Sequence, residues 1–241
     1  MTPEPPFPPP VPPSPPFPPP PGPGQGTPWE RRDQIGFVNA LVETTQQVLM
    51  SPADFFARMP IQGGVGGPLL YAVIVGYVGL AAATLYNLVF NTMMFSSGLT
   101  RFGRYGNFER IAPFLHSGIG TAAQLILGPI WIVIGLFIGA GILHLALLVL
   151  GGANRDFEAT FRVTAYSHAV SLMNLVPICG GFIGVIWWIA VASIGLAAAH
   201  QTDQGRAIAA VLLPLVLFCC CCGLGFAVFF GGLASFLSHV R

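Results

Sequence analysis

The stretch His144–Pro214 reads HLALLVLGGANRDFEATFRVTAYSHAVSLMNLVPICGGFIGVIWWIAVASIGLAAAHQTDQGRAIAAVLLP. Long apolar runs alternate in it with two short polar patches, one around Arg155 and one around Asp203. Each apolar run approaches the ~20 residues that a helix needs to cross the hydrocarbon core of a bilayer. Threaded back and forth through a membrane, the two patches fall on the same face. The stretch therefore predicts a multi-span membrane protein with one polar end.

Composition agrees. Only 8% of the 241 residues are charged and 54% are hydrophobic, whereas a soluble domain carries about 25% charged residues. So few charges cannot coat a water-facing surface, and lipid-facing surface accounts for the difference. The formal net charge is +1, which leaves no broad basic field for nucleic acid. All ten basic residues are Arg; with abundant Gly, Ala and Pro this composition suggests a GC-rich bacterial coding sequence. The first apolar run of spanning length begins near Leu69, too late for a signal peptide, so attachment is expected from the spans.

Ahead of the spans lie two segments of different character. Residues 1–28 hold sixteen Pro and a near-repeat, PPFPPPVPPS then PPFPPPPGPG. The fixed φ and absent amide protons favour polyproline II over a fold. The segment reads as a disordered spacer, or as a ligand for an aromatic groove in which Phe7 and Phe17 each precede PPP. Residues 29–60 predict two short amphipathic helices, lying at the membrane interface or against the bundle. Asp33 is the expected cap of the first, with Ile35, Val38, Leu41, Val42 and Leu49 on one face. Ser51, Pro52 and Asp54 form a capping-box arrangement for the second. Gly63, Gly64, Gly66, Gly67 and Pro68 then read as a hinge, since no strand precedes them and no Lys-Ser/Thr follows as in a phosphate loop.

The fold expected for residues 61–241 is an all-α bundle of five transmembrane helices. The spans are about Leu69–Phe95, a long one within Ser117–Leu150 that Gly128-Pro129 kinks or divides, Phe157–Val176, Phe182–Ala199, and one from Arg206 to about Phe236. Arg31, Arg32, Arg58, Arg155, Arg162 and Arg206 then share a side, against Arg101, Arg104, Arg110 and Arg241 opposite. By the positive-inside rule the amino terminus is expected in the cytoplasm and the carboxy terminus outside.

Within the spans, Thr160, Thr164, Ser167, Ser171 and Asn174 recur at helical spacing and form a polar stripe. It reads as helix–helix adhesion, or as a polar pathway. Gly135 and Gly139 form a GxxxG, and Gly181 and Gly184 open the fourth span; both allow close backbone approach. The candidate binding cluster is His144, Arg155, Asp156, Glu158, Arg162, Tyr166, His200, Asp203 and Arg206, all brought to the polar face by alternating chain direction. Asp156 is placed to cap the third span and Glu158 to pair with Arg162 four residues on. Arg162, one turn inside, is expected to snorkel outward. His144, His168 and His200 lack the local ligand spacing of a catalytic zinc helix, so neither metal nor cofactor is expected, and no catalytic triad is discernible. The run Cys219–Cys222 inside an apolar segment reads as small hydrophobic side chains, not a disulfide framework.

These features, in order, carry a resemblance to the Ypt-interacting-protein (Yip) domain family of five-span membrane proteins. The matching features are His144, Gly151-Gly152, TFRVTAYS at 160–167, Pro177 with Gly180-Gly181, Gly184 through Trp187, Gly195, His200 and Gly205-Arg206 before VLLP. Trp29-Glu30 and SPADFFARM at 51–59 resemble the lead-in of bacterial members. The resemblance covers about residues 29–235 and implies a five-helix fold with a cytoplasmic amino terminus. Eukaryotic relatives work in vesicle traffic and bind Rab-type GTPases and one another. Prenylated Rab partners do not belong to an ordinary bacterium, so the resemblance carries the architecture and not the GTPase role. It also offers no catalytic residues. The expected function is non-enzymatic: organising or shaping the inner membrane, or scaffolding a membrane-protein partner or a second copy, with membrane lipids around it. Transport or lipid translocation is the alternative.

Overall fold

The computed structural model describes residues 26–96 and 118–239, with side chains described over 26–90 and 120–223. The Pro-rich repeat with Phe7 and Phe17, and Arg101, Arg104, Arg110 and Arg241, lie outside the described residues. Every regular element among the described residues is helical.

A 3₁₀ turn, Pro28–Arg31, opens the described chain. Short helices α1 (Arg32–Ile35), α2 (Phe37–Met50) and α3 (Pro52–Arg58) follow. The long helices are α4 (Gly66–Ser96), α5 (Gly118–Val149), α7 (Gly180–His200) and α8 (Gln204–His239). Between α5 and α7 runs α6 (Phe157–Ser167), continued by a 3₁₀ helix, His168–Leu175. Four segments are long and apolar enough to cross a membrane: Gly66–Phe90, Gly120–Val149, Gly180–His200 and Gln204–Gly223. Their outward surfaces carry large apolar side chains such as Phe90, Trp131, Phe182 and Phe218, as lipid-facing helices do. Cys219–Cys222 are exposed on α8.

The third expected span, Phe157–Val176, is two elements instead of one helix, and its first half is enclosed. Every residue from Ala159 to Ser167 is buried. Its partners are long-range: the Gly63–Gly64 turn meets its start and α4 lies along the rest. Arg162 Nη1 donates to Gly64 O at 2.8 Å, Ser171 Oγ to Val75 O at 3.0 Å, and Tyr86 OH to Leu175 O at 2.7 Å. From Ala159 to Ser167 the segment is surrounded by protein and needs no lipid-facing apolar surface, in keeping with its Thr, Arg and Ser content, whereas Leu175 and Val176 at its end are exposed. A Cβ on Gly79 would collide with the Ser171 carbonyl, so the glycine lets α4 lie directly on the 3₁₀ backbone.

Other glycines depart from expectation. The GxxxG pair Gly135 and Gly139 has open space where a Cβ would stand, so it makes no close contact among the described residues. Close approach occurs instead at Gly195, where a Cβ would lie 2.6 Å from Val163 Cγ1. Helix α5 runs unbroken through Pro129. Gly128 serves packing there: a Cβ would meet Leu80 Cδ2 at 2.5 Å.

The lead-in also differs in detail. Gly36, with φ of 87°, separates Ile35 from the face expected on α2. The buried line of α2 is Ala40, Thr44 and Val48, while Val38 and Val42 are 67% and 57% exposed. Asp33 sits inside α1 without capping it, and Ser51 precedes α3 with no side-chain cap bond. The complete capping box lies earlier, at Thr27 and Glu30.

Candidate functional site

The polar end gathers the carboxy-terminal ends of α5 and α7, the amino-terminal ends of α4, α6 and α8, and the lead-in. Alternating direction brings the nine candidate residues to this end, as expected. The structure then divides them into a buried set of Arg162, Tyr166 and His200, an exposed rim, and half-buried His144 and Glu158 between.

Arg162 heads the buried set. Its side chain is 0% exposed, so it does not snorkel outward. Its partner is Glu30, from the lead-in, and not Glu158. The Glu158 carboxylate instead accepts the Gly64 amide at 2.6 Å. A charge this enclosed is tolerable only when paired and hydrogen-bonded, and Glu30 together with the Gly64 carbonyl supplies the pairing. Tyr166 is buried beside it, its hydroxyl 2.8 Å from Thr27 Oγ1. Tyr166 also joins an aromatic file. Ring centroids lie 5.7 Å apart for Trp29–Tyr71, 5.4 Å for Tyr71–Tyr166 and 5.2 Å for Tyr166–Phe55. The indole Nε1 of Trp29 donates to Gly67 O at 2.7 Å. Residues 27–30 thus strap the start of α4 to α6.

A second polar group, buried at Thr160 and His200 and half-buried at His144, crosses three helices. His200 Nδ1 accepts the Arg155 amide at 3.2 Å, which leaves Nε2 as the protonated nitrogen. Nε2 lies 2.8 Å from Thr160 Oγ1, and Thr160 Oγ1 lies 2.8 Å from His144 Nδ1. The donors therefore run in one order: His200 to Thr160, and the single Thr160 hydrogen to His144. Thr160 is the linchpin of the polar stripe. Thr164 bonds the Thr160 carbonyl and Ser171 the Val75 carbonyl, so two of the five stripe residues bind backbone, one its own helix's and one a neighbour's. Thr160→Val is expected to destabilise by about 1–3 kcal/mol, because both ring nitrogens lose a buried partner. Thr160→Ser should stay near wild type. Unfolding of the two variants by SDS titration in mixed micelles checks this, and equal losses would rule the chain out as a stabilising feature.

The rim is Arg155, Asp156, Asp203 and Arg206, all exposed. Asp156 stands at the N-cap of α6 but makes no side-chain cap bond. Asp203 caps α8, accepting the Gly205 amide at 2.8 Å. Arg206 reaches Gly151 O at 3.1 Å, and Arg155 reaches Gln201 Oε1 at 3.1 Å. Sequence spacing gave no sign of Glu30, Thr27 and Trp29 as parts of this end; Trp29-Glu30 was notable only through the family resemblance. A polar cleft of about 500 Å³ opens beside the strap, lined by Glu30, Arg32, Gln62, Gly63 and Gly67 among others. None of the nine candidates lines it. Among the described residues no three His, Cys, Asp or Glu side chains come together as metal ligands would.

A family model, the Yip1 domain, matches residues 47–236. The chain belongs to the Yip1 domain family. It is a multi-pass integral membrane protein, as that membership and the four long apolar helices together require. No curated protein and no solved structure matches it. The Yip1 match begins inside α2, so the strap at residues 27–30 lies ahead of it, although it packs against the Yip1 domain's α6.

Proposed function

We propose that this Yip1-domain protein is a non-enzymatic membrane organiser that scaffolds a membrane-protein partner, or a second copy of itself, through its polar end. The observation that carries this reading is the division of the ionisable residues. The buried set holds helices together and does not face an open cleft. The exposed rim of Arg155, Asp156, Asp203 and Arg206 offers both signs of charge to a docking surface, where such groups set orientation and partner choice.

The reading includes five crossings. The interrupted third segment has 11 α-helical and 8 3₁₀ residues. At ~1.5 and ~2.0 Å per residue it extends ~32 Å, against ~30 Å for the hydrocarbon core. Its parallel bonding to the Gly64 turn and then to α4 at Val75 and Tyr86 supports the same span. Helix α2 would lie at the interface, with Val38 and Val42 toward lipid and the Ala40–Thr44–Val48 line toward the bundle. The amino terminus and the rim would be cytoplasmic, on the inner membrane of a bacterium. A GTPase partner forms no part of the proposal.

Photocrosslinkers introduced at Arg155 and Arg206 in native membranes test it. A discrete protein adduct, or a self-adduct, is the expected result. Adducts to lipid alone from both positions would overturn it. Substrate flux in proteoliposomes above that of empty vesicles would favour transport or lipid translocation instead.

A further inference from the structure

The loop 150–156 joins α5 to α6 and carries two of the four rim residues, Arg155 and Asp156. It rests on the carboxy-terminal end of α7 through three bonds. Asn154 Nδ2 donates to the His200 carbonyl at 3.1 Å, one of the carbonyls that a helix end leaves without a partner. The Arg155 guanidinium reaches Gln201 Oε1, and the Arg155 amide donates to His200 Nδ1 at 3.2 Å. Of the three, only the bond to an imidazole changes with a proton near neutrality.

A peptide N–H only donates. Nδ1 accepts from it while that nitrogen carries no proton; a second proton on the ring would set N–H against N–H. His144 differs. Its Nδ1 faces Thr160 Oγ1, and a hydroxyl oxygen accepts as well as it donates, so a proton there meets an acceptor. The charged surroundings of His200 offer no relief. His144 faces it from α5, ring centroids 5.9 Å apart, and Arg155 from the loop, while Asp156 faces His144. On α8, Asp203 accepts the Gly205 amide and Arg206 reaches Gly151 O. On α3, Arg58 bonds the Asp54 carbonyl, and it is Phe56 that meets α7, at Gly195. The ring's two bonds go to an amide and a hydroxyl, and no carboxylate among the described residues bonds it.

We propose that His200 is a proton-sensitive latch: neutral, it holds the loop 150–156 on α7; protonated, it releases the loop, and with it Arg155 and Asp156. The loop above Nδ1 is exposed at Asn154 and Arg155. When it lifts, Nδ1 takes a proton, and the proton then keeps the loop from closing. Helix α7 stays intact, because a cation suits the carboxy-terminal end of a helix. The closed loop binds only the neutral ring, so closure is strongest at alkaline pH and weakens as pH falls through the ordinary imidazole range, around ~6.5. As a regulator of the docking rim the latch rests on the scaffold reading; the movement of the loop does not.

Amide hydrogen exchange of the full-length protein in detergent micelles, divided by the intrinsic rate at each pH, tests this. Protection of the Arg155 amide is expected to fall about thirtyfold from pH ~8 to pH ~5, the population change for a group that titrates at ~6.5 in the open loop. The Thr202 amide, bonded to the Ala197 carbonyl at the end of α7, should keep its protection. His200→Asn keeps an acceptor near the place of Nδ1 and has no proton to gain, so its Arg155 amide should show no fall. A wild-type change under about threefold, a parallel loss at Thr202, or a fall that persists in His200→Asn would each overturn the latch. Where that variant does not fold, the wild-type comparison of Arg155 with Thr202 decides alone. Exchange needs no partner. A flat profile therefore overturns the latch and leaves the rim's protein adducts standing, whereas a pH-dependent loop with lipid-only adducts overturns the scaffold reading and keeps the latch.

Discussion

Glu30→Ala is expected to destabilise the protein by about 3 kcal/mol, and Arg162→Ala by about 3–5 kcal/mol. The pair joins a residue of the lead-in to one 132 positions later in α6. Removing Glu30 leaves a guanidinium that is 0% exposed with, among the described residues, the Gly64 carbonyl as its remaining partner. Glu30 itself keeps 22% exposure, which sets its removal at the lower end of the range. Replacing both with Leu should recover at least half of the loss, because no buried charge is then left over. A double-mutant cycle measured by SDS titration in mixed micelles separates the pairwise part from the rest. A Glu30→Ala variant within about 0.5 kcal/mol of wild type would show that the pair does not hold the strap; ordinary surface substitutions stay within that margin.

Trp29→Ala should cost about as much, ~3–5 kcal/mol, the range for truncating a buried Trp or Phe. The indole is 0% exposed, stacks edge-on with Phe37 at 5.2 Å and tilts against Tyr71. Trp29→Phe keeps an aromatic ring and loses the bond to Gly67 O, about 1 kcal/mol. The consequence is local as well as global. Arg32 lies over the indole with its Cζ 5.3 Å from the ring centroid, so releasing Trp29 also frees the Arg31-Arg32 pair. Limited trypsin digestion of the folded protein should therefore cleave after Arg31 or Arg32 much faster in Trp29→Ala than in wild type, and Trp29→Phe should fall between. Unchanged cleavage in Trp29→Ala would show that the strap is held elsewhere.

Both predictions concern contacts that no local spacing reveals. Glu158 and Arg162 stand four residues apart in the favourable helical order, and local reasoning pairs them. The fold gives Arg162 to Glu30 and Glu158 to the Gly64 amide, since α4's approach puts the Gly63–Gly64 turn against α6. The snorkelling expected of Arg162 fails for the same reason: the lead-in covers the place where its head would meet water. His144, Thr160 and His200 were each legible as polar residues in apolar surroundings. Their connection through one hydroxyl depends on three helices converging, which the spacing of any one helix cannot specify. On α2, Val38 and Val42 were readable as apolar, but the side that packs was set by the neighbours at Tyr71 and α6.

What the sequence determined by itself is the helical membrane architecture and its polar end. In lipid every backbone polar group must be satisfied within the chain, so apolar runs of sufficient length are forced into helices, and the polar breaks between them mark the ends. The family pattern was legible for the same reason, being an ordered string of those breaks and turns. What only the tertiary structure decided is which polar residues at that end are buried and which remain available. Burial there depends on docking a lead-in more than a hundred residues away from its partner, and on a central segment whose surroundings are other helices. Those are long-range packing outcomes. They turn one apparent cluster into a sealed core of Arg162, Tyr166 and His200 beneath an open rim of Arg155, Asp156, Asp203 and Arg206.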